Sequence, residues 1–319
     1  MAITDSLSTM TKIVAVVNPK ACNGRVGKNW PVYAKTILAR FGTVSFMHSA
    51  MPGEITTLVR RAIHEGAQRI IVVGGDGTMN EAVNGFFEHN RLINPDAALA
   101  PWPAGTGGDF ARTIGLSDTD ISHGYDHATE RMIDVGKASF ANTAGQQTSR
   151  YFLNIASLGS SAHVACKVNA SSKLLGGRLS FYLGSLRGLM AYRNQPVSLN
   201  IDGRTEDMVV NTVAIANARY FGGGMMIAPN ASLDDGMLDI VVIGNVGVFT
   251  FLKDAALVYK GQHLAQHYVR HFRGRTVEVT SLGNSIPMEF DGEPIGELPV
   301  RYEILPEAIR LYAPIIKAI

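Results

Sequence analysis

Arg69-Ile70-Ile71-Val72-Val73-Gly74-Gly75-Asp76-Gly77-Thr78-Met79-Asn80-Glu81-Ala82-Val83-Asn84-Gly85 is an apolar run that breaks into glycines and resumes with helical spacing. The run Arg69 to Val73 lacks polar alternation, as in strands buried on both faces of a parallel sheet. Glycines let the backbone approach a polyphosphate closely, and the amides that open the following helix, read from about Met79 to Glu88, favour an anion. Asp76 sets a carboxylate beside those phosphates, where a magnesium ion needs one. A glycine turn between strand and helix is common by itself, so the decision rests on its neighbours.

Upstream, Ile13 to Val17 reads as a strand, Trp30 to Arg40 as an amphipathic helix, Thr43 to Met47 as a strand and Ile55 to His64 as a helix; downstream, Ala98 to Trp102 reads as a strand. Strands separated by helical segments predict right-handed crossovers and an open parallel sheet. Two further loops follow strands, Asn18-Pro19-Lys20-Ala21-Cys22-Asn23-Gly24-Arg25-Val26-Gly27-Lys28 and Pro103-Ala104-Gly105-Thr106-Gly107-Gly108-Asp109-Phe110-Ala111-Arg112. In such sheets the loops after strands gather at the ligand-binding edge, so three of them predict a phosphate site. The dinucleotide fingerprint fails because Phe110 stands at its third glycine place, and the P-loop fails because Asn29 follows Gly27-Lys28.

After about residue 137 the texture changes to runs such as Tyr151 to Ile155, Val197 to Ile201, Val209 to Ile215, Leu238 to Ile243 and Val277 to Thr280, which predict a mainly antiparallel sheet. Helices are predicted within it at Arg178 to Tyr192 and Val248 to Tyr259. With 319 residues, two domains are expected: 1–137, an α/β unit, and 138–308, a β-rich unit, with 309–319 a C-terminal segment whose return to the first domain is left open.

A net charge of +2 argues against nucleic acid as a partner, since such domains concentrate a basic face. Two cysteines, Cys22 and Cys166, give neither a disulfide framework nor metal-ligand spacing, which points to a reducing, cytoplasmic setting. Met1 to Met10 does not read as a secretory signal. The apolar windows fall far short of the roughly 20 residues of a membrane-crossing helix, so any lipid is expected to be met at the membrane surface.

Three stretches, Asn18-Pro19, Gly74 to Thr78 with Asn80-Glu81, and Pro103-x-Gly105-Thr106-Gly107-x-Asp109-Phe110-Ala111-Arg112, resemble in order and spacing the nucleotide-site signatures of diacylglycerol-kinase-type lipid kinases. Asp134-Val135-Gly136, Asn154-x-x-Ser157-x-Gly159, Asn217-x-Arg219 to Met225, Ala228-Pro229, Asp235-Gly236-x-Leu238-Asp239 and Asp291-Gly292-Glu293 are similar to later motifs of that family. The resemblance runs from residue 12 to about 312. It implies an ATP-binding α/β domain and a β-sandwich-like lipid-substrate domain with the active site in the cleft between them. The activity implied is transfer of the γ-phosphate of ATP, with Mg2+, to a lipid hydroxyl, diacylglycerol giving phosphatidic acid, by a cytoplasmic protein associated peripherally with membrane. Homodimer formation is left open.

Carried onto matching positions, the resemblance implies that Asn18, Pro19, Lys20, Ala21, Cys22, Ser49, Gly75, Asp76, Gly77, Thr78, Met79, Asn80, Glu81 and Thr106 surround ATP. It implies that Asp76 helps to hold the catalytic magnesium and that Asp291 is the base on the acceptor hydroxyl. Glu293 would share that task and Asp134 would assist in the same network. Ser232, Asp235 and Met237 correspond to a structural metal site of backbone carbonyls and one carboxylate. Two departures are visible: Ala21-Cys22 stands for the usual Ser-Gly, and Gly108 for Asn.

Two other readings compete. NAD kinases and phosphofructokinase-like kinases share the Gly-Gly-Asp-Gly turn, but Phe221 to Met225 and Asp235-Gly236 favour the lipid group; a non-catalytic nucleotide or lipid sensor is opposed by the retention of Asp76, Asp291 and Glu293. Without the resemblance, Asp291-Gly292 reads as an ordinary hairpin turn. His263, His267 and His271 would form one stripe if they shared a helix. They are read as an exposed or cleft-facing helix end in preference to a metal site. Lys167, Lys173, Arg178 and Arg187 make a loose basic region, read first as a solvated face and second as a membrane contact.

Overall fold

The computed structural model describes residues 11–104, 108–116, 124–142, 144–164 and 192–314. Its first third alternates strand and helix: Ile13–Val17, Trp30–Phe41, Ser45–His48, Glu54–His64, Arg69–Gly74, Asp76–Gly85 and Ala98–Pro103. The four strands are parallel, in the spatial order Ala98–Pro103, Arg69–Gly74, Ile13–Val17, Ser45–His48. Val14 to Val17 and Ile70 to Val73 are fully buried, which is why neither strand needs polar alternation. The helix Glu54–His64 buries Ile55, Val59, Ala62 and Ile63, one stripe of a 3.6-residue period. The chain leaves the strand Ile13–Val17 towards one side of the sheet and returns to Arg69–Gly74 on the other. The loops after these two adjacent strands therefore meet at the topological switch point.

The expected helix from Met79 to Glu88 starts and ends earlier, at Asp76–Gly85, because Phe86 and Phe87 are buried and Phe87–Glu88 pairs with Arg91–Leu92 in a short hairpin. The helix Val248–Tyr259 has the expected bounds. The helix expected at Arg178 to Tyr192 lies, apart from Tyr192, outside the described residues.

The second half is antiparallel, as its texture predicts, with Ile155–Gly159, Gln195–Ile201, Arg204–Ala216, Leu238–Gly244, Val269–Gly274 and Thr276–Ser281 among its strands. The architecture is an α/β nucleotide-binding-type domain followed by a β-sandwich-like domain. Two long strands unite them. Ala128–Ala141 and Val300–Pro314 lie antiparallel along their lengths, and the far end of Val300–Pro314 runs parallel to Ala98–Pro103 at Arg310 and Leu311. Ile133, Val135, Ile309 and Leu311 belong to the core around the parallel sheet, whereas Ala138, Phe140, Val300 and Tyr302 belong to that of the second half. Gly136 stands at the change-over, where an added Cβ would lie 2.2 Å from the ring of Phe152.

Candidate active site

The glycine turn is built around Thr78. An added Cβ at Gly74 would fall 2.3 Å from Thr78 Oγ1, so only glycine lets the helix start this close to the strand. Asn18 crosses from the neighbouring strand: its backbone N–H donates to the Val73 carbonyl at 3.1 Å, and its Nδ2 donates to Thr78 Oγ1 at 3.1 Å. Asn18 Oδ1 accepts the Lys20 N–H, and Lys20 Nζ donates to the Ala50 carbonyl. Cys22 and Asn23 both take positive φ, 54° and 56°, and bring Cys22 Sγ within 3.8 Å of a Cβ built on Gly75. Ser49 is tied to the same edge by its N–H to the Val17 carbonyl. Asn18 to Cys22, Ser49 and Gly75 to Thr78 thus gather at one end of the sheet.

Other expected nucleotide residues serve the frame. Met79 is buried in the core, and both carboxylate oxygens of Glu81 accept backbone N–H groups, from Gly53 and Ile55, at the start of the helix Glu54–His64. Thr106 lies outside the described residues.

Carboxylates from both halves converge here. Asp76 accepts the N–H groups of Asp109 at 3.0 Å and Phe110 at 3.1 Å, capping the short helix Asp109–Thr113. Asp109 Oδ2 accepts the Gly223 N–H at 2.7 Å, from the Phe221–Met225 loop of the second half, while its buried Oδ1 has no hydrogen-bond partner among the described residues. Asp291 occupies the turn between the strands Pro287–Phe290 and Glu293–Glu297, at φ 49°. Its Oδ2 accepts from Asn80 Nδ2 at 3.0 Å and its Oδ1 from the Ile155 N–H at 3.2 Å. Glu293 leans on the same helix start: a Cβ on Gly77 would lie 3.2 Å from its Oε1. The turn at Asp291 is therefore both a hairpin turn and a point where the second half touches the helix Asp76–Gly85.

Burial and mutual repulsion mark these groups. Burial raises the Asp291 carboxyl well above its ordinary range, and the nearby Asp76 and Glu289 add to it against the Asn80 hydrogen bond. Asp109 is pushed to about 6, by burial first and by Asp76 next. Asp76 is raised by burial, opposed by its two N–H donors and Arg112. Burial likewise raises Glu293, with Arg150 opposing. Carboxyls perturbed in this way and gathered from both halves make this the candidate functional site.

Residues 12–138 match the family described as diacylglycerol kinase catalytic domain, and residues 154–313 match the YegS C-terminal NAD kinase beta sandwich-like domain. The chain belongs to the diacylglycerol kinase family. Within this lipid kinase family, a diacylglycerol kinase of Mycobacterium tuberculosis is 30% identical over 261 residues, 81% of this chain and 80% of that protein. A probable lipid kinase YegS-like of Chromohalobacter salexigens is 31% identical over 270 residues, 82% and 81% of the two chains. The crystal structure of a diacylglycerol kinase from Bacillus anthracis matches with a TM-score of 0.73 at 26% identity, covering 96% of this chain and 98% of that one.

Other expected site residues of this lipid kinase fold lie in a second network. Asp134 accepts the N–H groups of Glu307 at 2.8 Å and Gly236 at 2.7 Å, whereas the Asp291 carboxylate is held by Asn80 and the Ile155 N–H. Ser232, Asp235 and Met237 share the turn that Asp134 anchors: Ser232 Oγ donates to Asp234, and Asp235 accepts the Met237 N–H and pairs with Arg273. The three histidines do not form a helical stripe: His263 is buried in a 3-10 turn and bonds the Ile227 carbonyl, while His271 is on the strand Val269–Gly274 and bonds Asp239. The helix ends at Tyr259, which separates them. Lys167, Lys173, Arg178 and Arg187 lie outside the described residues.

Sequence reading overlooked two carboxylates. Asp109 was visible inside the Gly-x-Asp-Phe stretch but carried no assigned role. Glu289 is wholly enclosed: Ser157 Oγ and the Gly292 N–H both donate to it, and burial pushes it to about 7. Its only sequence signal is an acid between the buried residues Met288 and Phe290.

Proposed function

We propose that the protein transfers the γ-phosphoryl group of ATP to a lipid hydroxyl, with diacylglycerol as acceptor and phosphatidic acid as product, at a membrane surface. The observation that carries this reading is the hold of Asn80, on the phosphate-loop helix, on Asp291, in the opposing hairpin turn. Phosphoryl transfer demands mostly positioning and charge neutralisation, plus a carboxylate to take the hydroxyl proton. In this reading Gly75 to Thr78 and Asn18 to Cys22 seat the triphosphate with backbone amides and small side chains. Asp291 accepts the proton of the attacking hydroxyl, and Glu293, beside Gly77, shares that role.

The residues present fit a magnesium ion. Asp109 offers a buried carboxylate oxygen that has no partner among the described residues, beside Asp76, and the repulsion that Asp76 exerts on both Asp109 and Asp291 is one that a cation would offset. Mg2+ held by Asp76 and Asp109 would neutralise phosphate charge. At Ser232, Asp235 and Met237 the fit is poorer, since the charge of Asp235 is already paired with the Arg273 guanidinium, and no cation enters the reading there. Among the described residues no helix is long and apolar enough to cross a membrane.

Purified protein given labelled ATP and a panel of diacylglycerol, phosphatidylglycerol, sphingosine and NAD tests this directly. Label in phosphatidic acid is the expected result. Transfer to NAD alone, or to no acceptor, overturns it.

A further inference from the structure

The helix Val248–Tyr259 is anchored on one face and bare on the other. Val258 and Phe251 join the core cluster that holds Ile227, Val241 and Ile243. On the outer face Phe249 is 86% exposed, Tyr259 53% and Leu252 38%. With the exposed Ala256 they follow spacings of three, four and three residues, a single stripe of a helix. Among the described residues nothing covers this stripe, and a contiguous exposed apolar patch marks an interaction face.

The charges around the stripe are one-sided. Lys253 and Lys260 are exposed along one flank. The acid of the helix, Asp254, is half-buried and accepts from Tyr268 Oη at 2.6 Å. The helix therefore turns apolar and cationic side chains outward and keeps its carboxylate inward. That pattern complements the boundary between acyl chains and anionic headgroups. It does not complement a second copy across a two-fold axis, which would bring Lys253 and Lys260 towards their own equivalents.

The helix also adjoins the candidate active site. The Val258 carbonyl accepts the Met226 N–H at 3.0 Å, and Met226 follows the Phe221–Met225 loop, whose Gly223 N–H donates to Asp109. Gly261, just past the helix, packs so tightly on this loop that an added Cβ would lie 2.9 Å from Met226 Sδ.

We propose that the helix Val248–Tyr259 docks the protein on an anionic bilayer, with Phe249, Leu252 and Tyr259 at the acyl boundary and Lys253 and Lys260 on lipid phosphates. The proposal deepens the lipid kinase reading, yet its test needs no turnover. Full-length protein is sedimented with vesicles of phosphatidylcholine alone and of phosphatidylcholine mixed with phosphatidylglycerol. The wild type should partition onto the mixed vesicles. The double variant Phe249→Ser, Leu252→Ser should partition roughly tenfold less or worse, with an unchanged thermal melt. Lys253→Glu with Lys260→Glu should weaken binding to the mixed vesicles alone.

Variants that partition like the wild type overturn the proposal, as does a wild type that stays in solution. A wild-type dimer that the Phe249, Leu252 variant dissociates also overturns it, by assigning the face to a second copy. Vesicle binding that depends on Phe249 without phosphorylation of any lipid supports the docking face and defeats the lipid kinase reading. Turnover of a monomeric short-chain diacylglycerol should be equal in wild type and double variant.

Discussion

Asn80 and Asp291 are 211 residues apart and joined by a hydrogen bond of 3.0 Å, Nδ2 donating to Oδ2. Asn80 is fully buried on the helix that follows the glycine turn, and its own Oδ1 accepts from Arg150 at 3.3 Å. The bond fixes the distance between the phosphate loop and the proposed base. It also lowers the Asp291 carboxyl against a burial that raises it. Asn80→Ala removes both effects. A lost bond to a charged group is worth about 1.5–3 kcal/mol, so kcat should fall roughly 10- to 100-fold. The acidic limb of the kcat–pH profile should move to higher pH, because the carboxylate form has lost a donor. An unshifted limb would separate Asn80 from the titration of Asp291.

Asp291→Asn keeps the shape of the turn and removes the base. Turnover should drop about 10²–10⁴-fold, the usual share of general base catalysis. ATP binding, followed by calorimetry, should change little, since Asp291 lies on the hairpin and not on the phosphate loop. Wild-type-like turnover would remove Asp291 from the mechanism.

Asp76 has two roles that substitution can separate. Its carboxylate caps the helix Asp109–Thr113 through two N–H groups, and it repels Asp109 and Asp291. Asp76→Ala should cost about 1 kcal/mol for the lost cap and should abolish turnover. The apparent pKa of Asp109 should fall from about 6 as its like-charged neighbour disappears, which NMR titration of the carboxyl would read.

Glu289 gives the pH dependence of stability a sign. Its folded value is raised from 4.5 to about 7 by burial, so the protonated form is the one the fold favours. Its stabilising contribution is complete below about 4.5 and is lost as the pH rises through about 7. The linkage amounts to roughly 3 kcal/mol at most. Free of ligands, the wild type should melt at a lower temperature at pH 8 than at pH 5, and Glu289→Gln should flatten that dependence. A variant that keeps the full slope would show that other carboxyls set it.

Much of the parallel-sheet domain was legible because its strands are buried on both faces and its helices carry one apolar stripe. Val14 to Val17 and Ile70 to Val73 needed no tertiary knowledge. The long strand Ala128–Ala141 was not legible: it begins Ala-Thr-Glu-Arg-Met, half exposed, and its partner is Val300–Pro314 at the far end of the chain. Helix starts are subtler still, since Asp76 already lies within its helix although glycines surround it. In the site, motifs located Asn18, Asp76 and Asp291 but could not tell lining from framing. Glu81 looks like a ligand in sequence and is a helix cap in space, because its donors, Gly53 and Ile55, lie on an element that no local pattern links to it. Glu289 was hidden for the opposite reason, as its partners Ser157 and Gly292 appear only once two strands pair.

Gly136 separates the two cores, and its missing side chain is filled by the ring of Phe152, whose Cζ would lie 2.2 Å from an added Cβ. Phe152 is fully buried among Phe290 and Tyr302, at ring-centroid distances of 5.7 Å and 6.2 Å, so it has nowhere to retreat. Gly136→Ala should therefore destabilise the fold by about 1–3 kcal/mol, the usual cost of overpacking a core. The strain is steric and local, so a smaller neighbour should relieve it. Phe152→Leu alone opens space and costs stability; combined with Gly136→Ala it should cost less than the sum of the two. A double-mutant cycle on the thermal melt reads that coupling. Because Phe290 adjoins Asp291, the same cycle on kcat should show Gly136→Ala slowing turnover and Phe152→Leu restoring part of it. Strict additivity in both readouts would place the cost of Gly136→Ala in the backbone and not in the contact with Phe152.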